Sequence, residues 1–346
     1  MNLFELTRKL IDIPSVTGDE KPVGMFLRSH LEGLGYIVKL QEVAPDRFNV
    51  LATSGASPRV VLSTHMDTVP PFIQSSEDDE KIYGRGACDA KGIIAAQIVA
   101  AERLRGEGIE EIGLLFTVDE EQGSAGAQAA NVDKPVGVTR YLINGEPTDN
   151  KLASATKGSL RLKLRTSGRA AHSAYPEGGE SAIEKLLDVI ENIRKSEWPV
   201  NDLLGETTCN IGVIGGGTRP NVVPDEAFAD LQLRLVSTAE PVKEIIEAAI
   251  AGRAEVEYLS AHEPVHLETV AGIEQCVVRF TTDIPYLSNW GKPLLLGPGS
   301  ISNAHTEHEF VGKQELAQAI DIYAQLVRAL LGRESESRVL AEGVLQ

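Results

Sequence analysis

Short apolar runs rich in branched side chains, bounded by glycine, proline or charge, recur along this chain and alternate with longer segments of helical period. Runs at Arg59 to Ser63, Tyr141 to Ile143, Leu294 to Leu296 and the start of the stretch Ile112 to Gly123 (IGLLFTVDEEQG) predict buried parallel strands. Strands are also expected at Tyr36 to Glu42 and Asn49 to Thr53. Helices are expected at Leu3 to Asp12, Asp19 to Leu34, after Gly92, near Ala125 to Ala130, and at Lys313 to Leu331, with a loose charged tail after Gly332. Asn2 and Glu5 are spaced as a capping box for the first helix, and Gly35 stops the second. Between Lys157 and about Ala261 the rhythm changes to strand (Ser159 to Thr166), helix (Glu180 to Ser196), strands (Thr207 to Ile214 and Glu226 to Leu235), helix (Pro241 to Ala251), strand (Ala254 to Leu259). That order predicts an α+β domain with an antiparallel sheet, residues 157–262, inserted into an α/β domain of residues 1–156 and 263–346 with a mixed, mostly parallel sheet.

Composition narrows the partners. With 50 acids against 33 bases the formal charge is −17, which argues against nucleic acid or an anionic membrane and mildly favours cationic small molecules. The three cysteines are odd in number and far apart, so a disulfide framework is not expected. No apolar run approaches a membrane span and the N-terminus reads as a helix start rather than a signal peptide, so a reducing cytoplasm is the expected compartment.

What stands out is where the polar residues fall. Asp119, Glu120 and Glu121 follow one predicted strand, His65 and Asp67 end another, and Glu146 follows a third. Asp89 lies in a glycine-bearing segment (GRGACDAKG) that opens a helix, and His305 follows Gly297-Pro298-Gly299-Ser300. Each taken alone reads more simply as a solvated polar turn. The Gly84-x-Gly86 pair is not a dinucleotide loop, because an aspartate stands where the third glycine would be. Cys88 reads as packing rather than as a ligand. Collected, two imidazoles and several carboxylates suit zinc, with cobalt or manganese as competitors. If His65, Glu146, Glu121 and His305 held two ions with Asp89 between them, a bridging hydroxide would balance the charge, and Glu120 or Glu121 would remain as a base. Without metal the crevice would concentrate carboxylates, Asp67 included, which predicts a strained or disordered apo site.

The ordered set HMD, GRGACDAKG, DEEQGS, NGEPT, GxxAHSxxP, PNVVP and GPGSxxxAHTxxE resembles the zinc amidohydrolase family of acetylornithine deacetylase, succinyl-diaminopimelate desuccinylase and carboxypeptidase G, from about residue 10 to residue 330. The resemblance implies two zinc ions in a catalytic domain interrupted by a lid that pairs with a second subunit. It implies His65 and Glu146 on one ion, Glu121 and His305 on the other, Asp89 bridging, Asp67 orienting His65, and Glu120 as general base and acid. In the lid, His172 would stabilise the oxyanion in the partner's active site, while Asn221 and Arg234, on adjoining strands, would grip the substrate carboxylate and the reacting carbonyl. His172-Ser173 lacks the Gly-x-Ser-x-Gly elbow of a serine hydrolase.

The expectation is a homodimeric dizinc hydrolase cleaving an N-acyl amino acid, of N-acetylornithine or N-acetyllysine deacetylase type. An exopeptidase on short peptides and a desuccinylase are rivals within the class, and a non-catalytic metal-binding homodimer is the rival outside it.

Overall fold

The apolar runs form the middle of one sheet. In the computed structural model, which describes residues 1–55, 57–132 and 139–343, with side chains described to residue 332 outside those gaps, four parallel strands lie side by side in the order Ile112–Thr117, Val60–His65, Tyr141–Asn144, Lys292–Leu295. The antiparallel hairpin of Ile37–Ala44 and Arg47–Thr53 extends the sheet beyond Ile112–Thr117. Every residue of Val60–His65, Ile112–Thr117 and Tyr141–Asn144 is buried. Successive side chains enter opposite cores, as the two-residue strand period requires. Leu62, Leu114, Phe116 and Ile143 pack with the helices Leu3–Ile11, Lys91–Gly106 and Lys313–Gly343 on one face, and Val61, Leu115 and Leu142 pack with Ala127 and Trp290 on the other.

These elements belong to a unit of Met1–Ser154, Leu267–Cys276 and Thr282–Gln346; a second unit comprises Ala155–His266 and Val277–Thr281. The second unit is built on a four-stranded antiparallel sheet in the order Thr208–Gly216, Glu226–Leu235, Gly158–Ser167, Glu255–His262. Alternate residues of Gly158–Ser167 and Glu226–Leu235 turn inward, and Leu160, Leu162, Leu164, Leu231 and Leu233 meet the inner faces of the helices Ala182–Lys195 and Ala239–Ile250.

The local signals act as their chemistry requires. Asn2 accepts from the Glu5 amide at 3.0 Å while the Asn2 amide donates to Glu5 Oε2 at 3.1 Å, and Gly35 takes a left-handed φ of 90° after the second helix. That helix spans Lys21–Gly33, starting later than Asp19 because Pro22 favours the first turn. The last helix runs on to Gly343 rather than stopping near Leu331, since the charged residues that follow Gly332 are good helix formers. Short strands that carry no alternation, such as Lys81–Tyr83 and Phe310–Gly312, pair with each other and had no periodic signature to reveal them. Of the three glycines Gly215 to Gly217, the first two extend the strand Thr208–Gly216 and the third turns at φ 71°. Among the described residues no helix is long and apolar enough to cross a membrane.

Gly145 leads from the strand Tyr141–Asn144 to Glu146 and donates its amide to Ser63 O at 2.7 Å. A Cβ there would stand 2.4 Å from Ile93 Cγ2 and 2.6 Å from Gln97 Nε2. Gly145→Ala should therefore destabilise the protein by about 1–3 kcal/mol, read as a lower urea midpoint at unchanged slope; an unchanged midpoint would mean that Ile93 and Gln97 yield freely.

Candidate active site

Parallel strands end on one side of a sheet, and there the polar residues converge. His65 is paired with Thr117 in the ladder, Leu295 with Asn144 and Asn144 with Ser63, so the strand ends fall within two residues of one another. His65, Asp67, Asp89 and Glu146 are buried, Glu120 and Glu121 partly so, while the His305 side chain is 48% exposed. His65 Nε2 lies 2.9 Å from Asp89 Oδ1 and 4.0 Å from Glu146 Oε2. His305 Nε2 lies 2.9 Å from Glu121 Oε1 and 3.3 Å from Asp89 Oδ2. The two oxygens of Asp89 thus each face a different imidazole. One donor atom apiece from His65, Glu120 and Glu146 falls within 4.8 Å of the others, and the same holds for His65, Asp89 and Glu121.

Asp67 meets His65 through its backbone carbonyl as well as through its carboxylate. The ring Nδ1 lies 3.0 Å from the Asp67 carbonyl oxygen and 3.5 Å from its carboxylate. The carboxylate also accepts from the amides of Glu120 and Glu121 at 3.1 and 3.2 Å and from Thr17 Oγ1 at 2.8 Å. Asp67 therefore ties the histidine strand to the loop carrying the acids. That loop is braced from behind, where Arg47 joins Asp119 at 2.8 Å to Glu20 at 2.5 Å.

The electrostatics are those of a crowded anionic cavity. Burial, reinforced by Glu146, pushes the Glu120 carboxyl well above the usual range, and burial does the same for Glu146 despite the opposing pull of His65. Hydrogen bonds with Asp89 and Glu121 raise His305 to about 10. Burial disfavours charge on the His65 ring, yet its contacts with Asp67 and Asp89 hold its pKa well above the ordinary value. Asp89 is buried too, but the two histidines depress it. The cluster thus holds protons that a cation would displace. Glu146 Oε1 is buried without a hydrogen-bond partner among the described residues, an orphaned acceptor at the place where a cation would sit. The donor set, two imidazoles among carboxylates, fits a divalent metal. Asp119 and His305 carry left-handed φ values of 71° and 63°, so the backbone is strained on both sides of the cluster.

The remaining candidates lie in the second unit. His172 is exposed, and its Nδ1 accepts from the Ala174 amide at 3.1 Å, which leaves Nε2–H as the donating side of the neutral ring. Arg234 lies in the strand Glu226–Leu235. Asn221 is not on an adjoining strand; it occupies an exposed turn, because Pro220 and Pro224 around it lack the amides a ladder needs.

Asp283 carried no sequence signal. It is 1% exposed, accepts from Thr117 Oγ1 at 2.8 Å at the end of the central strand, and burial raises it to about 6 even against hydrogen bonds from Ser124 and Thr117. Its loop has neither apolar period nor motif, so only the fold reveals it.

The family described as Peptidase family M20/M25/M40 matches residues 61–329. A peptidase M20 domain-containing protein of Schizosaccharomyces pombe is 38% identical, over 94% of this chain and 84% of its own length. A probable carboxypeptidase of Emericella nidulans is also 38% identical, over 95% and 90% respectively. A tripeptidase from Staphylococcus aureus superposes with a TM-score of 0.79 at 22% identity, over 94% of this chain and 98% of that one, which establishes the shared fold.

Metal ligands must shed their protons to bind. Zinc added to chelator-treated protein at pH 8 in weak buffer should release protons, because His305 titrates near 10 in the metal-free cluster. In that metal-free state the His305 pairing contributes stability that is complete below 6.5 and is lost as the pH rises through about 10. Titration calorimetry in buffers of different ionisation enthalpy checks this, and binding without proton release would contradict it.

Proposed function

Since the chain belongs to peptidase family M20/M25/M40 and is a hydrolase of metallopeptidase type, we propose that it is an exopeptidase that removes the C-terminal residue from short peptides. The observation that carries this reading is Arg234. Its guanidinium is half-buried in the second unit, with no partner among the described residues, and burial lowers its pKa with no anion opposing the shift. An uncompensated guanidinium fork of this kind suits the free carboxylate of a peptide terminus. The name of the Emericella nidulans relative supports the same class. Deacetylation of N-acetylornithine or N-acetyllysine breaks the equivalent bond, an acyl group joined to the nitrogen of an amino acid with a free carboxylate. The two activities differ in what fills the acyl side.

In this reading His65 and Glu146 would hold one divalent ion and Glu121 and His305 a second, with Asp89 available to both; zinc is the expected metal, and cobalt or manganese would substitute. When bound, the metal supplies Lewis acidity toward the scissile carbonyl and toward water. Glu120, whose proton affinity burial has raised, takes the proton from water and delivers it to the departing amine. Asp67 holds the Glu120 and Glu121 amides and so keeps base and ligand in register. Arg234 grips the carboxylate, Asn221 orients the reacting carbonyl, and the Nε2–H of His172 donates to the developing oxyanion of a second copy of the chain, in a homodimer formed through the second unit.

Glu120→Gln should lower kcat by about 10²–10⁴-fold while leaving zinc stoichiometry unchanged, as measured by turnover and metal analysis; persisting activity would remove Glu120 as the base. Arg234→Ala should raise KM for dipeptides with a free terminus and leave the already poor hydrolysis of their C-terminal amides unaltered. A panel of dipeptides, tripeptides, N-acetylornithine and N-acetyllysine decides the acyl side: turnover confined to the acetyl compounds would replace the exopeptidase reading with the deacetylase one.

A further inference from the structure

The AHTxxE segment contains an acid, Glu309, that the chemistry above leaves without a task. It is 1% exposed and lies four residues after His305, yet its contacts go to the segment carrying Asp89. Glu309 Oε1 accepts from the amides of Cys88 and Asp89, each at 3.2 Å. Its Oε2 pairs with Arg85, itself 2% exposed, at 2.6 Å, and the same Arg85 Nη1 donates to the carbonyl oxygen of Thr306 at 3.2 Å. The backbone bond from the Gly84 amide to Glu309 O at 3.0 Å closes the arrangement.

These bonds cross in both directions. The His305 loop reaches over to hold the backbone of Asp89, and the Asp89 loop reaches back to hold the carbonyl next to His305. A buried ion pair is seldom retained for stability alone, since apolar replacements of similar volume are often as stable. What this pair secures is the relative position of two loops that share no strand pairing at the ligands themselves, and that position sets the 3.3 Å between Asp89 Oδ2 and His305 Nε2.

We propose that Glu309 and Arg85 are positioning residues that lock the Asp89 and His305 loops together and thereby set the affinity of the metal position formed by Asp89, Glu121 and His305 more than that of the position at His65 and Glu146, which shares Asp89 but whose other two ligands stand on strand ends that neither residue touches. The proposal builds on the two-ion reading of the site. Neither residue contacts that ion in this scheme; each acts through backbone groups of the ligands. Partners of this kind typically change metal affinity by about 10–100-fold when removed.

The test uses the full chain, stripped with chelator and titrated with cobalt, reading stoichiometry, affinity and the visible absorption bands, with thermal unfolding in parallel. The variants are Glu309→Gln and the double replacement Arg85→Met with Glu309→Leu, which removes both charges and so avoids a stranded one. The expected result for the double variant is a thermal midpoint close to the parent's, one cobalt weakened on the order of 10–100-fold, the other weakened distinctly less, and altered bands from the more weakly held ion. Two ions bound at parental affinity with parental bands would overturn the proposal, as would equal weakening of both ions alongside a lowered midpoint. If the parent protein bound fewer than two cobalt ions, the two-ion reading would fall first, a result visible without any variant.

Discussion

The carboxylate of Asp89 is the constraint on which the cluster turns. One of its oxygens faces His65 and the other His305, so its placement decides whether residues from separate strand ends form one centre or two unrelated polar patches. A single buried anion between two imidazoles is electrostatically satisfied only while both stay close. Asp89 raises the proton affinity of each histidine, and the histidines lower that of Asp89 in return. Distances around Asp89 are therefore held from outside, by its own backbone amide, which donates to Glu309, and by the helix Lys91–Gly106 that begins two residues later.

The surroundings of that anion explain why the scaffold is so apolar. Strands buried on both faces leave little water to screen the acids at their ends, and burial there raises the proton affinity of Glu120 and Glu146. Charge on the periphery is treated differently: Arg47 is shared by Glu20 and Asp119, and Arg85 by Glu309 and Thr306, so supporting acids are matched with guanidinium groups while the central ones are not. The unmatched acids are those aimed at the cavity, which is the pattern of a cation site rather than of a structural ion-pair network.

Much of this was readable from residue order because the two-residue strand period and the strand-end rule act locally. Leu62, Leu114 and Ile143 announce one core and Val61, Leu115 and Leu142 the other, and whatever polar residue follows such a run must emerge at the same edge of the sheet. The capping box at Asn2 and Glu5 was legible for the same reason, its partners being three residues apart. Legibility failed where the partner is remote in sequence. Thr117 and Asp283 meet across 166 positions and Arg85 and Glu309 across 224, and no period or motif spans such intervals.

Asp67 shows the boundary between the two kinds of information. That it stands beside His65 at a strand end follows from the sequence, since residues two apart on an extended chain share a side. That its carboxylate, 3.5 Å from the ring, also collects the amides of Glu120 and Glu121 while its carbonyl meets His65 at 3.0 Å is decided by the adjacent parallel strand, whose loop brings N–H groups to that point. The sequence by itself determined which chemical groups reach the edge of the sheet, because side-chain direction along a strand is a local property. The tertiary structure alone decided which of those groups touch, because hydrogen bonds between loops depend on strand order and register, set only when the whole core packs.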